Sequence, residues 1–493
     1  FFSSSSSSSM DGVLCDELLQ EILRRLPPSA YPAASLVSKR WLSLFRSSLS
    51  SLSLRMPSPA PPISSVLAAY SSLTALTLLL SDPSSPGCPA FGLSSDGLLL
   101  SLSASHLPRL RHLRFLAGPV SPSALVSLPP SSPLRRVASL QLSSLRPLSF
   151  RWLTRFSALR ELSVLHCSNS SAPPPAADPG GRRPEKAMEE EEVEEDGEVE
   201  GLSLEVLCLS RVRAGDHGVG WLWRRCLNLH RLQLRDCEGT GDGPASRAFA
   251  RCLPNLQELE LRTCRAIADV VLLLIADHCR ALKTLVLYDG GSRDGLHRFI
   301  RRCGPELRTL DLRLPLDLDN GHLVAVAENF RSLSCLRLQS CCLITGEGLR
   351  ALGRAAAGAA IEELVLVNCD VVEREPGLLT FLGQTLSRLR RLDLSHNEML
   401  FDKELGSMLA SCCNLVDIKL KGCAGLTDAV VLSILRFCGL LECVDITRCV
   451  GITAKAVEVL ILHSPNLRHI HVEENKVSDS VSTWASRRVI QVC

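Results

Sequence analysis

Leu256 to Cys264 reads LQELELRTC, and Leu415 to Cys423 reads LVDIKLKGC. Both carry apolar residues at the first, fourth and sixth positions and a cysteine at the ninth. The fourth and sixth are two apart, so they share one face of a short strand. The same spacing starts at residues 204, 229, 256, 282, 307, 333, 361, 389, 415, 441 and 467, eleven starts over 263 residues with a mean period of about 26. Chance apolar runs do not hold register that long. Beyond Cys423 the spacing turns helical: Thr427 suits an N-cap, and Val431, Leu435 and Cys438 follow at i, i+4 and i+7. Each copy therefore reads strand, turn, helix; it buries nothing alone, and stacked copies share a core.

The period and the LxxLxLxxC pattern resemble cysteine-containing leucine-rich repeats of the ribonuclease-inhibitor type. Weaker copies start at Leu49, Leu73, Leu110, Val137 and Leu159, making sixteen in all. Their spacings of 24, 37, 27 and 22 residues are irregular, and Pro and Ser interrupt the helical halves, so short 3₁₀ turns are expected there. The fold class expected is α/β: a right-handed leucine-rich-repeat solenoid (horseshoe) behind a small all-helical module.

Ninety-two leucines in 493 residues, against 21 aromatics, predict an aliphatic core. The repeat also places the cysteines. Seven lie eight residues after a repeat start and six end the helix before the next, which accounts for 13 of 21. Small, weakly polar thiols suit buried turns, so packing, not redox chemistry or metal binding, is their expected role. Cys15, Cys88, Cys335 and Cys443 fall outside the phase and are the candidates for exposure. The absence of CxxC removes the commonest zinc spacing. No metal or other cofactor is expected.

The longest apolar run, Val270 to Ala276, is far short of the roughly 20 residues a membrane helix needs, so no membrane association is expected. The Ser-rich residues 1–10 do not read as a secretory signal. A reducing compartment, cytoplasmic or nuclear, fits so many free thiols. The formal charge of +2 is a cancellation: residues 185 to 200 hold ten acids and one lysine, so the other 477 residues carry about +11. Residues 168–203, rich in Pro and Gly and then acidic, are expected to be a disordered insertion. It separates irregular repeats (49–167) from regular ones (204–493).

Residues 11–48 do not follow the repeat. Leu18, Leu19, Ile22, Leu23 and Leu26 fall within a 140° arc of a helix, with Glu17, Gln20, Glu21, Arg24 and Arg25 opposite, and Pro27-Pro28 ends it. Forty residues hold no large core, so this unit must dock on something. Residues 14–44, LCDELLQEILRRLPPSAYPAASLVSKRWLSL, resemble an F-box through Leu14, Glu17, Leu18, Leu19, Ile22, Leu23, Leu26, Leu36, Val37, Ser38, Lys39 and Trp41; Cys15 stands where the family commonly has proline.

With the repeats, the chain resembles an F-box/leucine-rich-repeat protein. The resemblance implies the substrate-recognition subunit of an SCF-type cullin–RING ubiquitin ligase, without catalytic residues of its own. Leu14, Leu18, Leu19, Ile22, Leu23, Leu26, Leu36, Val37 and Trp41 would bind a Skp-family adaptor and through it a cullin, while the repeats bind an unknown target protein. The alternatives are a repeat scaffold with no ligase role, or a hormone-receptor-like F-box protein with a small-molecule co-ligand.

Strand residues between the core leucines face away from the core. Among them Arg231, Arg235, Arg262, Tyr288, Arg313, Arg337 and Arg391 are candidate target contacts. Arg235, Arg262 and Arg313 share a column, a place for an acidic or phosphorylated peptide held by bidentate contacts. No aromatics interleave with the arginines, which argues against nucleic acid. Glu238 to Gly243 resembles half a phosphate loop without its Gly-Lys-Ser/Thr ending, and Gly92 to Gly97 lacks G-x-S-x-G spacing, which argues against intrinsic catalysis.

Overall fold

The computed structural model describes residues 14–27, 30–56, 63–80, 95–167, 201–214, 216, 218–240, 244–314, 318–355 and 360–493. The Ser-rich start, the insertion up to residue 200, Cys88, residues 92–94 and residues 241–243 lie outside them. The chain forms two compact units, one of residues 1–229 with 239–252, the other of residues 230–238 with 253–493.

The first unit opens with three helices, α1 (Asp16–Arg25), α2 (Tyr31–Ser35) and α3 (Lys39–Ser48). Acids in the first turn of α1 and arginines in its last complement the helix dipole. Ser38 caps α3, its hydroxyl accepting from the Trp41 amide at 3.1 Å. Leu19, Leu23, Ala34 and Phe45 form the core of the module, with Tyr31 edge-on to Phe45 at 5.0 Å.

Six parallel strands follow: β1 (Ser51–Met56), β2 (Ala75–Leu80), β3 (His112–Val120), β4 (Ser139–Leu145), β5 (Glu161–Val164) and β6 (Val206–Ser210). Their register is that of the leucine pattern, for example Leu76 opposite Leu113, Leu113 opposite Leu140, and Leu162 opposite Leu207. Short elements join them, including the five-residue helices Ile63–Leu67 and Pro122–Val126 and the 3₁₀ turns Pro133–Arg136 and Arg151–Arg155. The core here is not simply aliphatic. Phe115, Phe150, Trp152, Trp223 and Phe249 are fully buried, and Trp223 meets Phe249 edge-on at 5.0 Å. Aromatic bulk fills the space that short connections leave.

The second unit holds β7 (Arg231–Arg235), β8 (Glu258–Arg262), β9 (Thr284–Tyr288), β10 (Thr309–Arg313), β11 (Cys335–Gln339), β12 (Glu363–Val367), β13 (Arg391–Asp393), β14 (Asp417–Lys419), β15 (Cys443–Asp445), β16 (His469–His471) and β17 (Gln491–Val492). All pair in parallel with their sequence neighbours, leucine on leucine from β7 to β13 and then through Ile418, Val444, Ile470 and Val492. β17 is one strand beyond the sixteen repeats seen in the sequence. Its repeat is short, and its strand carries Val492 in place of a leucine pair.

Three devices lock neighbouring repeats. Turn cysteines donate to a carbonyl of the preceding repeat: Cys264 to Leu234 at 3.3 Å, Cys423 to Leu394 at 3.2 Å and Cys449 to Leu420 at 3.0 Å. Asn397 takes the same position in its own repeat and does more. Its amide donates to the carbonyls of Leu366 and Leu394 at 2.8 and 2.7 Å, and its oxygen accepts from the Cys369 amide at 2.9 Å. Helix starts form a second ladder, in which Asp402 accepts from the amide and hydroxyl of Thr427, and Asp428 from those of Thr453.

The third device is conformational. The residue leaving nearly every regular strand has positive φ: Arg211, Asp236, Thr263, Asp289, Leu314, Ser340, Asn368, His396, Gly422 and Arg448, with φ from 50° to 74°. All stand seven residues after a repeat start, and only one is glycine. The corner is imposed by the stacked repeats.

Thr427 does cap its helix, but the buried stripe there is Val430, Val431 and Ile434, with Leu435 only half-buried. Cys335, expected to be exposed, is 7% exposed, because its strand position is covered by Glu363 and Arg337. Cys15 is exposed and Cys443 half-buried. Burial pushes the Cys226, Cys303, Cys423 and Cys438 thiols up to about 12, so these sulfurs stay protonated and inert. No helix among the described residues is long and apolar enough to cross a membrane.

Candidate partner-binding surfaces

The helical module divides its apolar residues between two tasks. Leu19 and Leu23, one-turn neighbours on α1, are 1% exposed and belong to the core; they shape the module and offer no surface to a partner. Leu14, Leu26 and Trp41 are partly buried against that core. Leu18, Ile22, Leu36 and Val37 are left outside at 56, 43, 85 and 58% exposed. Leu18 and Ile22 are four apart on α1, and Leu36 and Val37 sit in the α2–α3 corner. Arg40 fixes this arrangement, donating to Asp16 at 2.7 Å and to the Leu14 carbonyl at 2.7 Å. The core is complete without the four exposed side chains, so they are free to dock.

In the second unit the strand residues between the core leucines form rows of interleaved charge. On β7 and β8, Arg231 pairs with Glu258, while Glu260 takes Arg262, accepts from Gln233 at 2.9 Å and lies 3.5 Å from Arg235. On β10, Asp311 takes Arg313 through both oxygens at 2.8 and 2.7 Å. On β12, Glu363 accepts from Arg337 and Arg391, each at 2.6 Å.

Burial works against ionised Glu363, but the two arginines outweigh it and hold its carboxyl below the usual range. Asp417, next along the same strand column, has Lys419 only at 4.0 Å, and burial raises it.

The seven candidate contacts thus separate. Arg235, Arg262, Tyr288 and Arg313 line one hollow of about 380 Å³, and Arg313, Arg337 and Arg391 line another of about 350 Å³. Arg231 lines neither. The carboxylates that orient these arginines are the part the sequence hides, since an acid on a strand face reads as merely solvated. Glu363 was signalled only by having Arg391 at the equivalent position of the next repeat. Among the described residues no group of three His, Cys, Asp or Glu is placed to hold a metal ion.

A helical module presenting unpartnered leucines, followed by parallel strands in leucine register, defines an F-box/leucine-rich-repeat architecture. Residues 13–51 match the F-box domain. Among curated proteins, F-box/LRR-repeat protein 4 of Bos taurus is 27% identical over 190 residues, which is 38% of this chain and 30% of that protein. The chain therefore spans under a third of the length of that relative. Among solved structures, the yeast Rad7–Elc1 complex aligns over 97% of this chain and 92% of its own with 14% identity and a TM-score of 0.46. A leucine-rich-repeat protein of Leptospira interrogans aligns over 93% and 92% with 14% identity and a TM-score of 0.37.

Proposed function

We propose that this chain is the substrate-recognition subunit of an SCF-type cullin–RING ubiquitin ligase. Leu18, Ile22, Leu36 and Val37 seat a Skp-family adaptor, which brings a cullin, and the polar strand face of the second unit takes the target protein. Ubiquitin transfer belongs to other subunits, and the protein works in the cytoplasm or nucleus. The observation that carries this reading is the set of four exposed apolar side chains on a module whose core does not need them. A lone apolar residue at a surface is ordinary, but four on a 40-residue module that matches an F-box mark a contact surface.

Co-purification with a Skp-family adaptor tests it. The wild-type chain should retain the adaptor, and Leu18→Asp with Leu36→Asp should reduce retention at least about tenfold with the fold unchanged, because a buried unpaired charge costs several kcal/mol. Failure of the wild-type chain to retain any such adaptor would leave the scaffold reading, which has no use for a docking module.

A further inference from the structure

Resting on the ligase reading, we propose that the chain directs its own ubiquitination away from the unit that carries the docking module and onto Lys403 and Lys455 in the last repeats. The sequence holds 46 arginines and eight lysines. A uniform preference for arginine would keep that ratio along the chain, and the ratio inverts. Residues 1–402 contain 41 arginines and three lysines, whereas residues 403–476 contain three arginines and five lysines. Among the described residues of the first unit, 20 arginines stand against Lys39 alone.

The two cations differ in the reaction that a ubiquitin ligase promotes. A lysine amine that has shed one proton to solvent attacks the thioester carbonyl joining the ubiquitin C-terminus to a conjugating-enzyme cysteine. A C–N amide bond forms, the C–S bond breaks, and the cysteine leaves as a thiol with the second proton of the amine. A guanidinium stays protonated and delocalised and does not attack. In the second unit arginine has a structural reason: Arg313 grips Asp311 through both oxygens, and Glu363 takes Arg337 and Arg391 together. In the first unit only seven acids face the 20 arginines among the described residues, so most have no carboxylate to grip. Arg109, Arg111, Arg136, Arg151 and Arg155 are exposed there, where lysine keeps a surface soluble equally well. What arginine adds at those positions is that it accepts no ubiquitin.

The lysines sort by accessibility. Lys39 follows Leu36 and Val37 in the docking corner and is covered when an adaptor seats there. Lys283 donates to Gln257 at 2.9 Å, and Lys419 stands 4.0 Å from Asp417 on the strand face. Lys421 is half-buried, and Lys476, its side chain 16% exposed, donates to the Cys449 carbonyl at 2.7 Å. Lys403 and Lys455 are exposed in the first turns of the helices Asp402–Leu409 and Ala454–His463, two repeats apart, and neither enters an ion pair among the described residues. Lys186 lies outside the described residues.

The test reconstitutes the full chain with a Skp-family adaptor, a cullin–RING module, ubiquitin and its activating and conjugating enzymes, without a target, and maps modified lysines by mass spectrometry. Ubiquitin should be found on Lys403 and Lys455, and Lys403→Arg with Lys455→Arg should remove most of the self-modification. Arg109→Lys, Arg136→Lys and Arg155→Lys together keep the charge and, at unchanged thermal midpoint, should bring ubiquitin onto the first unit. Modification of the wild-type chain chiefly at Lys186 or Lys283 overturns the assignment. New first-unit lysines that stay unmodified while Lys403 and Lys455 react overturn the arginine shield, since position and not residue type would then protect that unit. Adaptor retention is measured on the same samples: a failed mapping with the adaptor still bound sinks this inference alone, and an unretained adaptor sinks the ligase reading on which it rests.

Discussion

The two units use the same leucine register but solve their packing differently. In the second, helices of eight to eleven residues recur, the buried apolar residues are mostly aliphatic or cysteine with Phe299 and Phe330 the buried aromatics among the described residues, and the described residues hold 30 Lys and Arg against 30 Asp and Glu. In the first, several connections shorten to five-residue helices or 3₁₀ turns, aromatic rings fill the core, and the described residues hold 21 bases against seven acids. Regular repetition places several charges opposite a partner on the next strand, as Arg231 lies opposite Glu258 and Arg391 opposite Glu363. Irregular connections lose that correspondence. The basic excess that the whole sequence shows is therefore concentrated in the first unit, and the arginines of the second are nearly balanced by neighbouring carboxylates.

The difference breaks most visibly at Trp152. It is fully buried in a 3₁₀ turn, and its indole N–H has no acceptor. Trp152→Ala should destabilise the first unit by about 3–5 kcal/mol, seen as a fall in the denaturation midpoint with amide protection of β10–β15 retained. Trp152→Phe should cost much less, since no hydrogen bond is lost. A large cost for Phe would mean the indole nitrogen matters in a way the packing does not show.

The matching lesion in the second unit is Asn397→Ala, which strands the Cys369 amide and the Leu366 carbonyl and leaves the Leu394 carbonyl only the Cys423 thiol. At about 1–3 kcal/mol for a buried orphan, a loss of about 3 kcal/mol is expected. Asn397→Cys should recover part of it, because other repeats carry cysteine there and their thiols reach the same class of carbonyl. If Cys is no better than Ala by chemical denaturation, the turn cysteines contribute shape and no hydrogen bonding.

Two carboxylates sharpen the role of pairing. Glu363 is held below its ordinary range, so the stability it adds is present at neutral pH and is lost as pH falls through and below about 4.5. Asp417 is raised by burial, so its penalty grows as pH rises through that raised value. At pH 7, Glu363→Gln should therefore cost about 1–2 kcal/mol, whereas Asp417→Asn should be neutral or mildly stabilising. Denaturation curves of both variants at pH 4 and pH 7 check the signs, and the Gln variant should lose part of the acid dependence.

The leucine spacing made the strands, their order and their register legible, because a period of two between buried leucines fixes which face is inside. It also divided the helical module from the repeats. It failed where the physics lies in partners. Leu19 and Leu18 are adjacent in one apolar arc, yet one is core and one is surface. Cys335 looked exposed until Glu363 and Arg337 covered it. The same limit hid the partner carboxylates of the arginines, since pairing depends on the neighbouring strand and not on local sequence.

The corner residues were illegible for another reason, and they supply the smallest effect. A left-handed conformation usually announces itself as glycine, but here Asp, Thr, Leu, Ser, Asn, His and Arg adopt it at one phase of the repeat. The stack holds the corner, and each L-residue there pays roughly 1–2 kcal/mol relative to a relaxed backbone. Gly422 occupies the same position without that strain. Arg448→Gly, at φ 58° on an exposed corner, should thus stabilise the second unit, with the gain reduced to about 1 kcal/mol or less by the extra freedom of glycine in the unfolded chain. A lowered denaturation midpoint would show instead that the Arg448 side chain contributes more than its backbone strain removes.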